Sequence, residues 1–342
     1  MKDFVSPDDP EVMETINSLI TQCGGDAQTF SGELLAQMMR NTLKLARENH
    51  AIGQLKLMSR TMKEMRYAYR IFNQYKDGRC ISIFGSARTP EHHPDYITAR
   101  EFSKKMALHG WMCITGAANG IMKAGLEGLP RESSFGLSIR LPFEEPQHSL
   151  MEGDIKSIAF RYFFTRKLMF ISHSDAVAAF PGGVGTLDEL FEVLTLQQTG
   201  KADLVPVVLL EGPNGTYWTH WQQYVDKELL KNGWISAEDQ NLYYLAKDVD
   251  DAVEHIQKFY FRYHSSRYVK DLLVIRLQTP LSELQVAQLT IKYKPLISTG
   301  EMELRGALPE EDDHLELPRL VFHHNHTHFG LLRALIDDIN EL

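Results

Sequence analysis

The stretch Pro181-Gly182-Gly183-Val184-Gly185-Thr186-Leu187-Asp188-Glu189 constrains the fold of this chain more than any other. It follows an apolar run, Asp175 to Phe180, that predicts a buried strand. It opens a helical pattern carried by Leu190, Val193, Leu194 and Leu196. A strand that runs through glycines into a helix N-terminus makes a cradle for an anion. The glycines let backbone N–H groups approach a phosphate closely. Glu189 stands three residues after Thr186, near one helical turn further on, so a carboxylate lies beside the cradle.

A plainer reading of the same residues is an N-cap at Thr186 with Glu189 as its capping-box partner. Capping alone does not call for glycine at 182, 183 and 185, since each glycine costs backbone entropy. The loop lacks the lysine of the GxxxxGK[ST] phosphate loop. It also lies mid-domain, where a dinucleotide fingerprint would open the domain. A mononucleotide or sugar phosphate fits it better than a nucleoside triphosphate.

The 342 residues suffice for more than one domain. Hydrophobic residues make up 43% and charged residues 24%, and the formal net charge is −9. No Lys/Arg block stands out, so nucleic acid is not an expected partner. No apolar run reaches membrane-spanning length, so no membrane partner is expected. The start, Met1-Lys2-Asp3, lacks the pattern of a secretory leader. Cys23, Cys80 and Cys113 have no metal or redox spacing. Together these features lead us to expect a cytoplasmic protein.

Three regions follow. Residues 1–76 show apolar positions at helical spacing, among them Leu34, Leu35, Met38, Met39, Met62 and Met65, and predict two or three amphipathic helices. Residues 77–262 alternate strand candidates (80–84, 111–115, 135–139, 175–180, 205–210) with helices (99–108, 160–171, 186–198, 218–230, 249–259). A short strand is expected at 242–245. Such alternation predicts an α/β, Rossmann-like, doubly wound parallel sheet, with ligands at the carboxyl ends of the strands. Residues 263–342 predict a small α/β appendage, with a strand at 271–277, a strand or strand pair at 296–304, helices at 281–289 and 329–339, and an edge strand at 315–323 because of Pro318. The Glu310–Asp313 run reads as a solvated loop.

Several other residues point toward the cradle. The first strand ends in Gly85-Ser86-Ala87-Arg88 and the second in Gly116-Ala117-Ala118-Asn119-Gly120, both small-residue turns. Arg166-Lys167 interrupts an apolar helix, Phe163 to Phe170, so a head group must leave the core or find an anion. Glu192 follows Glu189 by three positions, and paired carboxylates suit glycoside-type chemistry as readily as a solvated helix face.

These residues resemble the LONELY GUY family, often labelled lysine decarboxylases, whose members are nucleoside 5′-monophosphate phosphoribohydrolases. The hallmark PGGxGTxxE is met by Pro181, Gly182, Gly183, Gly185, Thr186 and Glu189. The family's Arg-Lys pair is met by Arg166-Lys167, its early Gly-Ser turn by Gly85-Ser86, and its later acidic residue and Gln-x-Gly by Glu192, Gln198 and Gly200. The chain departs from short members at its second turn, Gly116 to Gly120, and at Phe164-Thr165, where they carry His-Glu. Longer bacterial members share the terminal extensions. The resemblance implies hydrolysis of the N-glycosidic bond, with AMP or GMP as first substrates to test. It implies Glu189 and Arg166 as catalytic residues. Gly85, Ser86, Gly116, Asn119, Lys167, Gly182, Gly183, Val184, Gly185, Thr186 and Glu192 are the expected substrate contacts. Lysine decarboxylation itself needs an electron sink such as PLP on a Schiff-base lysine, and no such motif is present.

No cofactor and no metal are expected. His323, His324, His326 and His328 read as an exposed or interface edge. A homodimer or larger homo-oligomer is expected, as in the family. The competing expectation is a nucleotide-binding or sensing protein that uses the same cradle without turnover.

Overall fold

The computed structural model describes residues 5–76, 78–140 and 151–342. Met1 to Asp3, and residue 77 at the expected domain boundary, lie outside the described residues. The chain divides into two compact units, Met1–Lys63 and Glu64–Leu342.

The first unit holds α1 (Pro10–Gln22), α2 (Phe30–Lys44) and the start of α3 (Ile52–Phe72). Asp9 caps α1 by accepting the Glu11 N–H at 3.0 Å, with Pro10 in the first turn, where its missing donor costs nothing. Thr29 caps α2 through the Gly32 N–H at 3.1 Å. Ile16 and Ile20 pack with Ala36 to form a small core of their own.

The second unit begins in the last turns of α3. It continues through β1 (Cys80–Phe84), α4 (Pro94–Leu108), β2 (Met112–Thr115), α5 (Ile121–Glu127), β3 (Ser134–Ile139), β4 (Ser157–Phe160) and α6 (Phe163–Ser172). Next come β5 (Ala176–Ala179), α7 (Val184–Gln198), β6 (Val207–Leu209), α8 (Tyr217–Tyr224), β7 (Tyr244–Leu245) and α9 (Val249–Phe259). These seven strands form one parallel sheet in the order β4-β3-β2-β1-β5-β6-β7.

Burial on both faces explains why the strands read as continuous apolar runs. In β1, Cys80 and Phe84 join a core with α6, α7 and α8, through Phe170, Leu190 and Trp218. Ile81 and Ile83 point the other way, to Tyr96 and Phe102 of α4, Ile121 of α5 and Ile256 of α9. The order reverses beside β1, with β2 on one side and β5 on the other, and that opens a crevice at the carboxyl ends of the two strands.

A second sheet follows, from β8 (Tyr263–Val269), β9 (Leu272–Leu277), β10 (Ile297–Arg305) and β11 (Arg319–His324), antiparallel in the order β10-β11-β9-β8. α10 (Glu283–Lys292) starts at a Ser282/Gln285 capping box. α11 (Phe329–Glu341) lays Leu332, Leu335, Ile336 and Ile339 against Leu273, Ile275, Leu320 and Phe322. Among the described residues no helix is long and apolar enough to cross a membrane.

The structure corrects four readings. Phe160, where a helix was expected to start, is the last residue of β4, and α6 begins only at Phe163. Val184 opens α7 with Gly183 as N-cap and no side-chain cap, so Thr186 lies within the first turn and the capping box is not formed. Pro318 does not make an edge strand. It precedes β11, which lies between β10 and β9, and its carbonyl accepts the Leu277 N–H at 2.9 Å. Glu311, within the acidic run read as solvated, is buried between Arg276 and Arg319.

Candidate active site at the carboxyl edge of the parallel sheet

Three strand-to-helix turns meet at the crevice and are tied to one another. The Ser86 N–H donates to the Pro181 carbonyl at 3.1 Å, and the Ile121 N–H donates to the Ser86 carbonyl at 3.0 Å. Two glycines make this closeness feasible. Gly120 has φ +63°, and a Cβ there would collide with the Ser86 carbonyl. A Cβ on Gly182 would collide with the Thr186 hydroxyl. Gly183 and Gly185 differ, for a Cβ on either would meet nothing within 4 Å. Their bare backbone faces open space at the N-terminus of α7, where the helix dipole favours an anion.

Gly85, Ser86, Gly116, Asn119, Arg166, Gly183, Val184, Gly185, Thr186 and Glu189 line one continuous cleft. Gly182 stands just behind it, its carbonyl accepting the Tyr217 hydroxyl at 2.8 Å. Ala117, in the second turn, has φ +53°, a left-handed conformation costly for a residue with a Cβ. Its N–H donates to the Thr115 hydroxyl at 3.1 Å.

Glu189 is 6% exposed, and Arg166 Nη2 donates to its Oε1 at 3.2 Å. Burial pushes the Glu189 carboxyl above its ordinary range despite the nearby Arg166 and Lys167 charges. Burial also pulls the Arg166 guanidinium down, against the attraction of Glu189. That guanidinium sits 5.1 Å from the Phe163 ring centroid and 5.6 Å from that of Phe170. Its Nε is buried without a hydrogen-bond partner among the described residues. The pair is desolvated and under-bonded, with donor capacity to spare.

Lys167 and Glu192 sit elsewhere. Lys167 Nζ pairs with Asp188 at 2.8 Å and with Glu192 at 2.7 Å, and neither Lys167 nor Glu192 lines the cleft. Successive helical residues point about 100° apart, so Arg166 and Lys167 do not share a direction. Burial pulls the Lys167 ammonium down, but its bonds to Asp188 and Glu192 outweigh that and hold it above its ordinary value. Such an ammonium is a poor candidate for a Schiff-base nucleophile. Gln198 and Gly200 also serve the fold. Gln198 donates to Asp239 at 2.8 Å, and Gly200, at φ +65°, lies against the Phe329 ring.

Sequence reasoning did not single out Arg140 and Phe163, which line the cleft, or Tyr217 behind it. Arg88, read only as part of the first turn, lines it too. Arg140 follows the last residue of β3 and carries no motif. Phe163 was legible only as an apolar helix position, although it is 51% exposed.

Residues 114–256 match the family described as "Possible lysine decarboxylase". Among curated relatives, the cytokinin riboside 5′-monophosphate phosphoribohydrolase LOG1 of Arabidopsis thaliana is 34% identical over 107 residues, covering 31% of this chain and 47% of that protein. The probable enzyme LOG6 of the same plant is 47% identical over 83 residues, 24% of this chain and 38% of that protein. The cytokinin riboside 5′-monophosphate phosphoribohydrolase of Rhodococcoides fascians is 33% identical over 92 residues, 27% of this chain and 44% of that protein. The chain thus spans less than half the length of each of these relatives. The family's descriptive label and its relatives' names differ in chemistry, and the ion-paired Lys167 weighs against the label.

Proposed function

We propose that the chain hydrolyses the N-glycosidic bond of nucleoside 5′-monophosphates, releasing a free base and ribose 5-phosphate. The observation that carries this reading is the buried Arg166–Glu189 pair beside an uncapped, glycine-lined helix N-terminus. The similarity of the central segment to 5′-monophosphate phosphoribohydrolases supports it. The backbone of residues 183–185 and the Thr186 hydroxyl seat the 5′-phosphate. Glu189 then faces the ribose, where its carboxylate offsets the positive charge that develops at the anomeric carbon as the bond to the base breaks. The base leaves with the bonding electrons, water adds to that carbon, and Glu189, its pKa raised by burial, accepts the water's proton, which is balanced by protonation of the departing base. Arg166 orients Glu189 and, as a lining residue of the cleft, offers its guanidinium to the nucleotide.

The substrates to test first are AMP and GMP. The protein acts as a homodimer or larger homo-oligomer in the cytoplasm under this reading. The test is a panel of purine and pyrimidine monophosphates, with base and ribose 5-phosphate quantified together. Equal release of both products is expected, and much slower reaction of the nucleosides, which lack the seated phosphate. No base release from any monophosphate overturns the reading.

A further inference from the structure

Tyr217 opens α8 and stands outside the residues that line the cleft, yet its hydroxyl donates to the Gly182 carbonyl at 2.8 Å. The ring is held in place. It meets Trp218 edge-on at a centroid distance of 4.8 Å, and the Tyr217 N–H donates to the Glu211 carboxylate at 2.9 Å. Burial raises the phenol's pKa, which keeps it protonated and able to donate at neutral pH.

The peptide joining Gly182 to Gly183 is trans. In a planar trans peptide the C=O and the N–H point in opposite directions. A carbonyl turned toward Tyr217 therefore turns the Gly183 N–H away from Tyr217. Gly183 lines the cleft, with open space where a Cβ would stand. The N–H therefore leaves on the side of the peptide opposite Tyr217, on a residue whose own backbone lines the cleft while Tyr217 does not. A donor on the carbonyl also polarises the peptide and strengthens its N–H as a donor.

We infer that Tyr217 is a positioning residue whose hydroxyl locks the Gly182–Gly183 peptide so that the Gly183 N–H is aimed at the phosphate of the bound nucleotide. The inference rests on reading the loop as a phosphate seat. The 5′-phosphate stays the same as the glycosidic bond breaks, so this contact is equal in ground state and transition state. Its loss raises KM and spares kcat.

The experiment uses the full chain with Tyr217→Phe, which keeps the ring and its packing on Trp218. Ribose 5-phosphate binding is measured by calorimetry and AMP hydrolysis by steady-state kinetics, with thermal melting as the check on folding. Loss of one neutral hydrogen bond should weaken ribose 5-phosphate affinity about three- to tenfold and raise KM by the same factor, with kcat within about twofold. Tyr224→Phe, an exposed ring at the end of the same helix, should change neither quantity. If Tyr217→Phe does not fold, Glu211→Gln loosens the backbone anchor of Tyr217 and should shift affinity and KM the same way, by less. Wild-type affinity and KM in a folded Tyr217→Phe protein overturn the inference and leave the hydrolase reading standing. A fall in kcat at unchanged KM overturns it too. A wild-type protein that binds no ribose 5-phosphate overturns the phosphate seat itself, and the inference with it.

Discussion

Glu189 at the cleft and Glu311 in the second sheet are both buried beside arginine, at 6% and 7% exposure. Their surroundings differ. Glu311 accepts from Arg276 Nε at 3.0 Å and Nη2 at 2.7 Å, from Arg319 Nε at 3.1 Å, and from the Leu308 N–H at 3.0 Å. Burial alone would raise its pKa, but these bonds, led by Arg319, outweigh it and bring the pKa down to about 2. Among the described residues Glu189 accepts one bond, from Arg166 at 3.2 Å, and its pKa moves the opposite way. A buried carboxylate with every lone pair engaged belongs to the architecture. One left short of donors holds its charge at a cost and can exchange that charge for a ligand or a proton.

The first way to break this comparison is Glu311→Gln. Removing the anion leaves the buried Arg319 guanidinium without its carboxylate partner, while Arg276 keeps Asp313, and breaking such a buried pair costs about 3–5 kcal/mol. Chemical denaturation should show that loss. The pH dependence follows the same sign. The depressed pKa of Glu311 means that its contribution is complete above the ordinary value of 4.5 and is lost as pH falls toward about 2. A variant as stable as wild type at neutral pH would place Glu311 in the same class as Glu189.

Arg166→Met tests the other cluster. Loss of a preorganised cation at the reacting centre should lower kcat/KM about 10²–10³-fold. The remaining Glu189 loses the attraction that holds its pKa down, so the acid limb of the pH–rate profile, already above the ordinary carboxylate range, should move to higher pH. An unmoved limb would separate Glu189 from the titration that controls turnover.

The smallest expected effect belongs to Lys167→Met. Its ammonium serves Asp188 and Glu192 near the surface, and such pairs contribute about 0.2–1 kcal/mol. Turnover should stay within about threefold of wild type. A loss as large as that of Arg166→Met would restore Lys167 to the cleft.

What the sequence revealed follows from how local each signal is. The cradle was legible because Pro181 to Glu189 carries its strand, glycines and carboxylate in one stretch. The buried strands were legible because β1, β2, β5 and β6 are apolar on both faces. β4, four residues beginning with Ser157 at the sheet edge, and β8, with Ser265, Ser266 and Arg267 at its centre, lack that signature. Pairings across long sequence separations left no trace. Tyr217 reaches Gly182 from 35 positions away, and Arg276 reaches Glu311 from the same separation. An acidic run looks solvated until its partners fold onto it. Arg166 and Lys167 were both read into the site, and only the helix shows that Arg166 lines the cleft while Lys167 does not, being paired with Asp188 and Glu192.

The most direct measurement is turnover and melting temperature of Glu189→Gln, side by side. The account predicts a fall in kcat for AMP of about 10²–10³-fold with ribose 5-phosphate still bound. It also predicts a melting temperature equal to or above wild type. The raised pKa means that ionised Glu189 subtracts stability as pH rises through it, and glutamine removes that cost. A Glu189→Gln protein that keeps near wild-type turnover but melts several degrees lower would contradict the account, for Glu189 would then be structural in the same sense as Glu311.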